Sequence, residues 1–85
     1  MSIRVLIADP DVAMLRSYRE HLSRDGFEVA TANNGLDCVA RLRQFAPDVL
    51  VLEVDMPWGG GVGVLDMMHN GRELPHVPAM LLTAR

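Results

Sequence analysis

Cysteine is almost missing from this chain, aromatic residues are few, and clusters of basic charge are missing altogether. A single cysteine, Cys38, has no partner for a disulfide and no companions for a cysteine metal set, which makes the cytosol the default compartment. It falls within a helical stretch and reads as a buried thiol. A formal net charge of −3 without a Lys/Arg cluster argues against a nucleic-acid surface built from these residues. No apolar run approaches the roughly 18 residues of a membrane span. The first strand begins within two residues of the N-terminus, without the flanks of a signal peptide, so no membrane anchor is expected. The glycines of WGGGVG (58–63) are not followed by Lys-Ser or Lys-Thr, as a phosphate-cradling loop would need. His21, His69 and His76 fall on different elements without ligand spacing and do not suggest a metal centre.

What is present is a regular alternation. Eighty-five residues, 49% apolar and 22% charged, describe one small soluble domain. At its centre is PDVLVLEVDMP (47–57), in which Val49, Leu50, Val51 and Leu52 form an unbroken run typical of a strand covered on both faces. The exit of that strand carries Glu53 and Asp55, and open α/β sheets bind ligands outside the carboxyl ends of their central strands. A second buried strand is read at 3–8 (IRVLIA), interrupted only by Arg4. Val12, Leu15, Tyr18 and Leu22 then recur at helical spacing. FEVATA (27–32) alternates like a short edge strand, and Asn33-Asn34-Gly35 turns into a helix with an apolar stripe of Leu36, Val39, Ala40 and Leu42. Phe45-Ala46-Pro47 closes that helix, because the residue before a proline is pushed from the helical region. Residues 58–63 read as irregular, 64–69 as a short helix stopped at Asn70-Gly71, and 79–82 (AMLL) as a fourth strand running into Thr83-Ala84-Arg85.

Each acidic residue also has a plain structural reading. Asp9 before Pro10 fits a helix N-terminus, with Asp9 as the cap, Pro10 in the first turn and Asp11 favourable to the helix dipole. Asp55 before Met56-Pro57 fits a turn-shaping role. Trp58 is either an exposed contact or a loop anchor.

Strand and helix alternating four strands deep give an α/β fold with a doubly wound parallel sheet. With VLIADPD after the first strand, PDVLVLEVDMP and Gly61 after the third, and VPAMLLTAR at the fourth, the chain resembles the receiver domain of two-component response regulators. The resemblance covers all of residues 1–85 and implies a single flavodoxin-like domain, partial because its last strand and last two helices are not in this chain. The family's strand order, 2-1-3-4-5, would make the first and third strands neighbours. The resemblance places Glu53 at the phosphoacceptor position, normally aspartate. It puts Asp9 and Pro10 at the acidic pair, Asp55 where a backbone carbonyl faces the metal, and Thr83 at the switch hydroxyl. The lysine that ends the fifth strand has no counterpart among these residues.

Two of the three central acids therefore depart from the family pattern. Transfer of a phosphoryl group to a carboxylate depends on a cation such as Mg²⁺, and Pro10 supplies no ligand for one. Asp9 and Asp55 remain as weak Mg²⁺ candidates, and no cofactor is expected. Glu53 extends about 1.5 Å beyond an aspartate, and a misplacement of about 1 Å costs on the order of a hundredfold in rate. The resemblance thus implies a non-enzymatic regulatory module that has lost ordinary phosphorylation, in which Glu53 either mimics the phosphorylated state or fills the pocket. A residual Mg²⁺-dependent phosphoacceptor and a structural dimerisation unit of a larger regulator are the alternatives. A histidine kinase or another signalling protein, an output domain and a second copy of the chain are the partners implied. An exposed edge at 79–82 and an uncovered apolar face beside Val5, Ile7 and the first helix point to a homodimer. The terminal arginine is also what trypsin-like trimming leaves, so the chain is expected to be a fragment.

Overall fold

A computed structural model describes residues 2–58, 60–71 and 74–83. In order the elements are β1 (Arg4–Ala8), α1 (Val12–Arg24), β2 (Glu28–Ala32), α2 (Gly35–Phe45), β3 (Val49–Glu53), α3 (Gly60–Asn70) and β4 (Ala79–Leu82). The strands form one parallel sheet in the order β2-β1-β3-β4. This is the flavodoxin-like order, with β2 at an edge as the short alternating pattern implies. Among the described residues it holds four strands and three helices, where a whole receiver fold has five of each. Gly59, which reads as irregular in the sequence, and Ala84 and Arg85, into which the fourth strand reads as running, lie outside the described residues.

Side-chain alternation along β1 and β3 divides the core in two, because successive residues of a strand point to opposite faces. Leu6, Ala8, Leu50 and Leu52 pack with Cys38, Val39 and Leu42 of α2 and Val64 and Met68 of α3. Val5 and Ile7 pack on the other face against Leu15, Tyr18 and Leu22 of α1, with Val29, Val49 and Val51 half-buried around them. Both residues are buried beneath α1, and on the same face of the sheet Val49 and Val51 are half-buried and Met80, which pairs with Val51, is 58% exposed, the uncovered face expected beside them.

Three local readings change. The cap of α1 is Asp11 rather than Asp9: its carboxylate accepts from the Ala13 N–H at 2.9 Å and the Met14 N–H at 3.2 Å. Pro10 consequently precedes the helix. The apolar stripe of α2 is Gly35, Cys38, Val39 and Leu42, while Leu36 is 65% exposed. A stripe drawn from Leu36 is one step out of phase with the face that meets the sheet. Finally, α3 begins at Gly60, well before residue 64. Glycine disfavours helix in isolation, but here the first turn lies so close to β3 that a Cβ on Gly61 would stand 2.7 Å from the Glu53 carbonyl oxygen. Packing overrides propensity at that point. The end of α2 does follow from Pro47, although Ala46 takes a left-handed conformation (φ 51°) instead of an extended one.

Cys38 is fully buried, and burial first, with the charge of Asp37 second, pushes its thiol up to about 12. At neutral pH it is a protonated core group rather than a nucleophile. No helix among the described residues is long and apolar enough to cross a membrane.

Candidate functional site

The sheet register brings the acidic residues to one end of the molecule. Ala8 pairs with Leu52, so Asp9 and Glu53 leave adjacent strands at the same level. Glu53 pairs in turn with Leu82 of β4, and the Val54 N–H donates to the Leu82 carbonyl at 2.9 Å, which carries Thr83 to the same end. Asp9, Pro10, Glu53, Asp55 and Thr83 line a single open cleft. All four predicted site residues, Glu53, Asp9, Asp55 and Thr83, are therefore gathered, with Pro10 between the acids.

The side chains differ in their surroundings. Glu53 is 7% exposed and is the one buried charged residue among those described. The Asp9 carboxylate accepts the Asp11 N–H at 2.8 Å, a short-range turn that fixes the entrance to α1. Asp55 is exposed and lies at the start of the loop leading to α3. That loop is held at both ends: the Gly61 N–H donates to the Val54 carbonyl at 3.0 Å, and the Gly35 N–H to the Pro57 carbonyl at 2.9 Å. Trp58 between them has φ 61° and is 70% exposed, so its ring faces solvent.

The donor set does not suit Mg²⁺, which asks for near-octahedral oxygen ligands. Pro10 contributes no oxygen from its side chain, so the end of β1 offers only the Asp9 carboxylate, which also accepts the Asp11 amide, and Glu53 is mostly buried. Among the described residues no three His, Cys, Asp or Glu side chains are grouped to hold a metal. No step through a metal follows from this arrangement.

Sequence reasoning missed part of the lining. Asp11, Met14 and Tyr18 also face the cleft. Their spacing of three and four residues puts them on one side of α1, a signal that was available. It also missed that His69 and His76 approach each other edge to face, with ring centroids 6.3 Å apart. They meet because the chain turns back between α3 and β4, and a separation of seven residues in sequence does not show it.

Comparison with known proteins agrees with this geometry. A family model described as the response regulator receiver domain matches residues 5–85. The response regulator MprA of Mycobacterium tuberculosis (strain ATCC 25618 / H37Rv) is 35% identical over 85 residues, all of this chain and 36% of its own length. A probable transcriptional regulator, ycf29, of Pyropia yezoensis is 28% identical over 85 residues, again all of this chain and 38% of its own length. The chain thus spans little more than a third of these curated relatives. Among solved structures, a CheY-like response regulator receiver domain protein from Methanospirillum hungatei JF-1 superimposes with a TM-score of 0.88 at 25% identity, covering all of this chain and 66% of that one. The chemotaxis response regulator CheY4 of Vibrio cholerae reaches 0.90 at 24% identity, covering all of this chain and 71% of that one, a likeness of fold.

Proposed function

Because the chain belongs to the response regulator receiver domain family, whose domains are regulatory rather than catalytic, we propose that it is a receiver module that signals without aspartyl phosphorylation. The observation that carries this reading is the buried Glu53 at the end of β3. An in-line phosphoryl transfer needs an accessible oxygen, a cation to offset converging negative charge, and placement within a fraction of an ångström. Glu53 is longer than aspartate and mostly buried although it lines the cleft, and the neighbouring Pro10 withdraws a cation ligand. Asp9, Asp55 and Thr83 complete an acidic cleft whose charge is built in rather than added by a kinase. Signalling then runs through binding, to a histidine kinase or another signalling protein on one side and to an output domain on the other, in the cytoplasm.

Treatment of the complete native protein with acetyl phosphate and Mg²⁺ is expected to leave its intact mass unchanged. A gain of one phosphoryl group that disappears on Glu53→Gln or Asp55→Asn would establish the residual phosphoacceptor instead. Glu53→Gln also separates the two roles open to this side chain. If a fixed charge mimics the phosphorylated state, the substitution abolishes partner binding; if the side chain fills space, binding persists.

A second reading, homodimerisation, has its own support. β4 has an unpaired edge in this sheet, and Met80 and Leu81 are 58% and 43% exposed. Unpaired strand edges with apolar side chains favour association. Sedimentation of the 85-residue chain at micromolar concentration is expected to give a dimer that Met80→Lys shifts toward monomer; a wild-type monomer ends this reading.

A further inference from the structure

A second cleft opens on the other side of α1, and its charge is opposite to that of the first. It is lined by Arg16 and Arg19 of α1, Thr31 at the end of β2, Asn33, and Asp37 and Arg41 of α2. These arginines are spread over 26 positions of a chain whose net charge is −3, and only the parallel crossover from α1 through β2 to α2 brings them together.

Arg16 and Arg19 are three residues apart and so project from the same side of α1. Neither is ion-paired among the described residues, and the Arg19 guanidinium only donates to the Thr31 hydroxyl at 3.4 Å. Arg41 leans on Asp37 across one helical turn at 3.9 Å, with both side chains near half exposure. Three guanidiniums against one carboxylate leave a local charge of +2. Like charges gathered on facing elements repel one another, and an anion would relieve that repulsion. Val12 and the buried Leu15 and Ala32 add an apolar floor.

We infer that this cleft is a binding site for a small phosphate ester. A phosphomonoester carries about −1.5 to −2 charges at pH 7, with a second pKa of about 6, which matches the local excess. Guanidinium forks and a hydroxyl suit phosphate oxygens, and the floor accommodates the organic group. A nucleic acid is a poorer match, since its affinity comes from many phosphate contacts spread along a backbone, and this cleft gathers only three guanidiniums. The site lies apart from Glu53 and is independent of the reading of that residue.

The test is heteronuclear NMR of the complete native protein titrated with phenyl phosphate. Saturable shifts are expected in the side-chain N–H signals of Arg16, Arg19 and Arg41 and in the Thr31 and Asn33 amides. Arg16→Gln and Arg41→Gln should each weaken binding about tenfold, as loss of a charge-assisted hydrogen bond does. Arg24→Gln, on the same helix but outside the cleft, should leave binding unchanged. With wild-type protein, lowering the pH from 7 to 5 should weaken phenyl phosphate about tenfold as the dianion protonates, and phenylacetate should bind at least tenfold less tightly. Shifts that do not saturate, that centre on Asp9 and Glu53, or that respond equally to Arg24→Gln would overturn the proposal. Equal affinity for phenylacetate would overturn it as well.

Discussion

Gly35→Ala is expected to lower the melting temperature by at least about 12 °C. Gly35 opens α2, and a Cβ placed on it would fall inside the van der Waals envelope of the Trp58 carbonyl oxygen and 3.0 Å from its carbonyl carbon. Both obstacles are backbone, so no side chain can rotate away. Relief requires the loop before α3 to lift or α2 to slide, and α2 carries Cys38 and Leu42, both fully buried. Overpacking typically costs about 1–3 kcal/mol, and a clash with backbone on a fixed loop falls at the upper end, about 3 kcal/mol; in a domain of this size each kcal/mol lowers the melting temperature by roughly 4–8 °C. Gly63 provides the contrast. It lies within α3, and an added Cβ there would meet nothing within 4 Å. Gly63→Ala should stabilise by up to about 1 kcal/mol through helix propensity alone. Thermal melts of the two variants side by side decide the matter, and a Gly35→Ala protein that melts with the wild type would show that the loop is not held against α2.

Pro10→Asp combined with Glu53→Asp is expected to raise the rate of labelling by acetyl phosphate by about a hundredfold, the scale associated with correcting a misplacement near 1 Å. The two changes act on different requirements. Shortening Glu53 returns the acceptor oxygen to the distance the fold provides, and Pro10→Asp supplies a carboxylate beside Asp9, so that a divalent cation gains a second ligand from the end of β1. Either change alone should fall well short of the pair. The gain also depends on a cation that neutralises the incoming phosphoryl group, and these 85 residues contain no lysine. The experiment therefore belongs in the complete native protein, with intact mass as the readout and EDTA as the control. Full activation by Glu53→Asp alone would mean that Pro10 does not limit the cleft.

Most of the sheet could be read from the chain because buried parallel strands announce themselves. The run from Val49 to Leu52 and the run into Ala8 are apolar at every position, as strands covered on both faces must be, and each ends at an acidic residue. Agreement in register then followed from topology, which is why Glu53, Asp9, Asp55 and Thr83 line one cleft. The failures share a different cause, in that local sequence did not carry the deciding term. Asp9 and Asp11 flank the same proline and are equally good acceptors, and the choice between them was made by how the chain leaves β1. The glycines at 60 and 61 look like loop residues until β3 is laid beside them. The arginine cleft is the extreme case: no window of sequence contains a basic cluster, and three separate elements were needed to make one.

The strand order has a consequence in time as well as in space. β1 is synthesised before the other three strands, yet in the finished sheet it lies between β2 and β3, bonded to both. During synthesis Arg4 must wait for Glu28, and Val5 for Val49, before either side of the strand has its ladder. Contacts of such long range slow folding, since loop closure precedes any reward. Of these four strands β1, apolar from Val5 to Ala8, is thus the one that waits longest for its partners, and the emergence of β3 is the event that ends its exposure.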